Sequence, residues 1–154
     1  MFLSLAGCGS GNGAVEVSPP SPTGTAREQC AALIHDLPAT VLGEDARDVT
    51  PADGTAAAWG DPPTVLRCGV QRPAALVATS ACFEVNGVGW LATQNGREVS
   101  GDEPVTGTMM FTTIGRAAYV EVSVPDVQGR SAADPLTALA RPIQRTIPLE
   151  HPCQ

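Results

Sequence analysis

Apolar residues along this chain fall first into helical spacing, then into alternation, then into helical spacing again. Cys30, Leu33, Ile34 and Leu37 sit at i, i+3, i+4 and i+7, one stripe of a helix. Thr25-x-x-Glu28 precedes them as a capping box, and Pro38 closes the run. Residues 39–55 are polar, show no period, and are expected to be irregular. After them the period becomes two. Over residues 63–70, Leu66, Cys68 and Val70 alternate with Val65, Arg67 and Gly69. Residues 82–91 predict a hairpin about Asn86-Gly87, a dipeptide that favours a type I′ turn. A two-residue loop there sets Val85 opposite Val88 and Phe83 opposite Trp90. Residues 107–114 and 117–124 are the next strands, joined at Gly115-Arg116. In the second, Ala118, Val120, Val122 and Val124 share one face, and Tyr119, Glu121 and Ser123 the other. Helical spacing then returns with Leu136, Leu139, Ala140, Ile143 and Ile147. Asp134 is placed to cap this helix, Pro135 suits its first turn, and Pro142 predicts a kink or a broken second half.

These elements predict an α+β fold in the order α-β-β-β-β-α. An antiparallel sheet of four to five strands carries the N- and C-terminal helices on one face, as a two-layer sandwich. The globular domain spans residues 25–154, and no second apolar stretch is long enough to cross a bilayer.

The first eight residues change the picture from shape to place. Leu5-Ala6-Gly7-Cys8 has the form of a lipobox, with small residues before a cysteine that would receive a thioether-linked lipid. Only residues 1–7 precede it, without Lys or Arg, so they are expected to be a truncated or mis-started lipoprotein signal peptide. Residues 8–24 follow as the lipidated Cys8 and a tether rich in Gly, Ser and Pro, about 50 Å long if extended. The expected location is the extracytoplasmic face of a membrane, with the membrane itself as partner through the lipid.

Charge and cysteine content agree with that place. The net charge is −7, and all nine cationic residues are Arg. A chain this acidic, without a basic run, is not built for nucleic acid, and an anionic bilayer would repel it. With Cys8 lipidated, Cys30, Cys68, Cys82 and Cys153 remain, an even set that suggests two disulfides in an oxidising compartment. Cys30–Cys68 with Cys82–Cys153 and Cys68–Cys82 with Cys30–Cys153 both make spatial sense. No metal site is expected, because there is no C-x-x-C and His35 and His151 stand far apart.

The search for chemistry yields a face rather than an active site. No Gly-x-Ser-x-Gly occurs, no free nucleophile beside a base stands out, and no catalytic residue or cofactor is assigned. By alternation Arg67, Tyr119 and Glu121 share the sheet face away from the helices. Arg116 lies at the hairpin end, and Trp59 and Trp90 flank it. Such a face could grip a carboxylate or phosphate and stack a ring or sugar. The plainer alternative is an Arg67–Glu121 cross-strand pair on an exposed sheet, with both tryptophans in the core.

Several segments carry a resemblance. They are Cys30-x-x-Leu33 with Leu37-Pro38, Ala58-Trp59-Gly60-Asp61-Pro62, and Leu66-Arg67-Cys68-Gly69-Val70 with Arg72-Pro73. Val85-Asn86-Gly87-Val88-x-Trp90, Phe111-Thr112-Thr113 with Arg116, and Tyr119-Val120-Glu121-Val122-x-Val124-Pro125 complete the set. In order and spacing the chain resembles a family of small exported actinobacterial envelope proteins known only as a domain of unknown function. The resemblance brings no activity. It implies the pairing Cys30–Cys68 and Cys82–Cys153, because the family motif holds the equivalents of Cys30 and Cys68. The expected function is a non-enzymatic binding or accessory lipoprotein of the cell envelope, its partner an envelope protein or a cell-wall ligand. The alternatives are a cell-wall-modifying enzyme with an unrecognised active site and a purely structural envelope component.

Overall fold

Helix α1 (Gly24–Asp36) forms where the first apolar stripe predicted it, and α2 (Asp134–Thr146) where the second did. The structure is a computed structural model and describes residues 13–99 and 105–153. Cys8 and the residues around it therefore lie outside the described residues. Cys30 and Leu33 of α1 are buried, as are Leu136, Leu139, Ala140 and Ile143 of α2. The capping box does not form: α1 is capped by Thr23, without a side-chain hydrogen bond. Pro142 does not break α2, which runs through it to Thr146. Arg145 Nε donates to Asp36 Oδ2 at 2.9 Å and ties the two helices together.

Eleven strands are present among the described residues. They are β1 (Val15–Glu16), β2 (Thr40–Val41), β3 (Glu44–Arg47), β4 (Val49–Thr50), β5 (Ala56–Trp59) and β6 (Thr64–Val70). They continue with β7 (Phe83–Val85), β8 (Val88–Gln94), β9 (Arg97–Glu98), β10 (Met109–Thr113) and β11 (Tyr119–Val124). The main sheet is nine-stranded, in the order β2-β3-β5-β6-β11-β10-β8-β7, with β9 added on β8. Its pairings are antiparallel. A separate parallel pair joins β1 to β4. The α+β class stands, but the expected four to five strands are too few. The additions are short strands, three of them inside residues 39–55, which were expected to be irregular.

The Asn86-Gly87 hairpin has the predicted register, with Val85 opposite Val88 and Phe83 opposite Trp90. Both turn residues have positive φ, as a type I′ turn requires. Alternation also holds in the centre of the sheet. Leu66, Cys68, Val120, Val122 and Val124 are buried and join the helix stripes in one hydrophobic core. Between Tyr119 and Val120 the register shifts by one, because β6 passes from Val70 to Cys68 and leaves Gly69 as the extra residue of a bulge; the buried Thr113 Oγ1 accepts the Val120 N–H at 2.9 Å there.

The segment expected to be a free tether is, from Gly13 on, part of the domain. Val15 N donates to Asp48 O and Val17 N to Thr50 O, on either side of the β1–β4 pairing. Arg47 Nη2 donates to Gly13 O at 2.6 Å. The Pro-rich stretch then crosses the sheet: Ser18 O accepts from Arg67 Nη1 at 2.8 Å and Pro20 O from Thr55 Oγ1 at 3.3 Å. Pro22 lies so close over Gly69 that a side chain there would collide with it. Residues 13–22 are thus a strap along the face of the sheet opposite the core.

Candidate functional site

The six residues expected to share a binding face divide into two groups. Arg67, Glu121 and Tyr119 are half-buried on the face away from the core. Arg67 and Glu121 are directly opposite each other on β6 and β11. Arg67 donates from Nε at 2.9 Å and from Nη2 at 2.6 Å, both to Glu121 Oε1. Its remaining nitrogen, Nη1, is taken by the strap at Ser18 O. The guanidinium that could have gripped a carboxylate or phosphate is therefore occupied from within the chain. Tyr119 Oη accepts from Arg72 Nη1 at 3.2 Å, and Arg72 also holds Leu76 O at 2.9 Å.

Trp59, Trp90 and Arg116 are not on that face. Trp59 is 2% exposed and donates from Nε1 to Pro38 O at 3.0 Å, fixing the chain after α1. Trp90 is fully buried opposite Phe83, and its Nε1 has no hydrogen-bond partner among the described residues. Arg116 is 7% exposed. Its Nη1 donates to Ile147 O at 2.7 Å and its Nη2 to Gly87 O at 3.3 Å. It joins the end of α2 to the β7–β8 turn, and burial lowers its pKa below the usual guanidinium value. Gly115 beside it has positive φ and receives Glu150 N and His151 N on its carbonyl, so the tail packs where a side chain would be. The face drawn from the sequence is thus not assembled: the tryptophans belong to the core, and Arg116 is a clamp on backbone carbonyls.

The disulfides pair Cys30 with Cys68 and Cys82 with Cys153. The first joins α1 to β6 inside the core, with both cysteines fully buried. The second ties the residue before β7 to the C-terminal tail, with both sulfurs seated over Gly89. A side chain at position 89 would strike both. Sequence reasoning missed the role of Gly89 and the strap. For the strap a signal existed, since Val15-Glu16-Val17 alternates as an edge strand does.

Several concavities among the described residues are open to solvent. A cleft of about 70 Å³ lies over Trp59, lined also by Leu42, Glu44, Asp61, Arg130 and Pro135. Beside it a dent of about 310 Å³ carries Glu44, Asp45, Asp48 and Asp61 around Arg47 and Gly60. At the other side of the sheet a groove of about 370 Å³ runs past Val77, Ser80, His151 and the second disulfide. Among the described residues, no group of three His, Cys, Asp or Glu side chains is arranged to hold a metal ion. No described helix is long and apolar enough to cross a membrane.

Comparison with known proteins places the chain in a family. Nothing matches it among curated proteins or solved structures. The family described as "Protein of unknown function (DUF3515)" matches residues 4–152, nearly the whole sequence, and the chain belongs to that family.

Proposed function

We propose that this protein is a non-catalytic accessory or binding module of the bacterial cell envelope, lipid-anchored through Cys8 on the extracytoplasmic face. The observation that carries the reading is the oxidation state of the domain. Cys30, Cys68, Cys82 and Cys153 are all used in disulfides, which persist in exported compartments and are rare in reducing ones. Leu5-Ala6-Gly7-Cys8 leaves the fifth cysteine for the lipid. The helices and the sheet form the two-layer support, and the exported partner is an envelope protein or a cell-wall ligand. The net charge of −7 leaves anchoring to the acyl chains, because an anionic surface would repel the domain.

The test is expression of the full precursor in a bacterium with a lipoprotein pathway. The expected result is a fatty-acyl mass on Cys8, fractionation with membranes, and no thiol reactive to alkylation before reduction. Cys8→Ala is expected to release the protein from the membrane with its disulfides intact. A cytosolic product with reduced thiols and an unmodified Cys8 would overturn the reading. Cross-linking in intact cells then identifies the partner.

A further inference from the structure

The strap fixes which side of the domain a lipid on Cys8 would hold against the membrane. The chain is bound to the domain from Gly13 on, first at β3 and β4 and then inward to β6. Four residues, 9–12, therefore separate Cys8 from the first bound residue, in place of the sixteen of the whole Gly- and Pro-rich segment. However they are arranged, the five steps from Cys8 to Gly13 reach at most about 18 Å. Arg47 on β3 holds Gly13 O, so the β3 side of the sheet is the attachment point. From β3 to β7 the strand order counts six spacings, about 30 Å across the sheet.

We propose that the β2–β3 end of the sheet, around Asp45 and Arg47, is the surface that faces the lipid bilayer, with β7 and the Cys82–Cys153 bond directed away from it. The proposal rests on the lipid-anchor reading of Cys8. Charge argues that the domain stands rather than lies flat. The net charge is −7 and there is no lysine, so the chain has no basic run with which to settle on anionic headgroups. Glu44, Asp45 and Asp48 at the attachment edge are exposed and repel such a surface within a Debye length, about 8 Å at physiological salt. The tether limits the gap from above at about 18 Å. The edge is thus held in a narrow band over the membrane, and the groove beside the second disulfide opens outward.

Energy transfer to the membrane tests this on the natively lipidated, full-length protein. Asp45 or Glu84, both exposed, is replaced by a dye-bearing residue. The protein is reconstituted in phosphatidylcholine/phosphatidylglycerol vesicles that carry a headgroup-linked acceptor. Transfer is expected to be at least about two-fold greater from position 45 than from position 84, as a ~30 Å difference in height dictates. A second variant frees the strap: Val15→Asp with Arg47→Ala removes a buried apolar contact and the hold on Gly13 O. Transfer from position 45 is then expected to fall toward that from position 84. Equal or greater transfer from position 84, on acylated protein that sediments with the vesicles, would overturn the orientation alone. Protein without an acyl mass on Cys8, or not retained by the vesicles, would overturn the anchor reading and the orientation with it.

Discussion

The two faces of strands β6 and β11 are held by different forces. On the inner face Leu66, Cys68, Val120 and Val122 are fully buried against the helix stripes, and exclusion from water does the work. On the outer face the same strands carry Arg67 and Glu121, and a proline-rich strap lies over them on hydrogen bonds to its carbonyls. The arginines repeat the contrast. Arg67 has a carboxylate and partial solvent access, whereas Arg116 is buried on two carbonyls and makes no ion pair among the described residues. Stability is therefore concentrated on one side of the sheet, and the other side is a wrapped surface.

The sharpest way to break this comparison is to cut one residue from each face. Trp90→Ala removes a fully buried indole from the core and is expected to cost about 3–5 kcal/mol. Arg67→Ala removes a partly exposed ion pair and a contact to the strap, and is expected to cost about 1 kcal/mol or less. Urea titration of the oxidised proteins checks both. Equal costs would show that the wrapped side holds the fold as strongly as the core does.

The disulfides divide along the same line. Their sequence separations, 38 and 71, give about 4 kcal/mol each from chain entropy alone, slightly more for the longer loop. Burial reverses that order. Replacing Cys30 and Cys68 with Ala also leaves a gap in the packed core, whereas Cys82 and Cys153 are only half-buried. The Cys30/Cys68 double variant is expected to lose about 1 kcal/mol more than the Cys82/Cys153 variant. Denaturation midpoints of the two double variants decide it, and the opposite order would mean that loop length outweighs packing.

Legibility in the sequence follows this division of forces. Burial leaves a periodic trace, so both helix stripes and the Val85–Val88 and Phe83–Trp90 register could be drawn from the chain alone. So could the opposition of inner and outer residues on β6 and β11. Strands held by backbone pairing at an edge leave almost none. All of Glu44, Asp45 and Ala46 are exposed, β2 and β4 are two residues long, and the β2–β3 turn is Leu42-Gly43 instead of Asn-Gly. The candidate face failed for a related reason. Alternation placed Arg67, Tyr119 and Glu121 correctly, but it has no term for the turn that sends Arg116 inward to Ile147 O and Gly87 O. Nor does composition reveal that a Gly- and Pro-rich segment is bound rather than free, since its hydrogen bonds run through carbonyls that every residue has.

The arginines supply a third test. Arg116→Met keeps the apolar stem but leaves the carbonyls of Ile147 and Gly87 without their donors, at an expected cost of about 2 kcal/mol. Arg67→Met is expected to stay within about 1 kcal/mol of the parent. The same variants separate in local opening as well. Limited proteolysis should become faster in the strap of Arg67→Met and at the C-terminal tail of Arg116→Met.

The smallest expected effect has the opposite sign and lies at the rim, where burial decides least. Leu42 has φ +52° and is 40% exposed, so its side chain gains little from packing while its backbone sits in the left-handed region. Asn tolerates that conformation far better than Leu, as Asn86 and Asn95 show in this same chain with φ +48° and +51°. Leu42→Asn is therefore expected to raise stability by up to about 1 kcal/mol, despite the loss of an apolar side chain. Thermal unfolding of the oxidised protein measures it. A decrease would show that Leu42 gains more from its contact with the Trp59 cleft than its backbone loses. The β2–β3 rim would then belong with the core side of the comparison and not with the wrapped side.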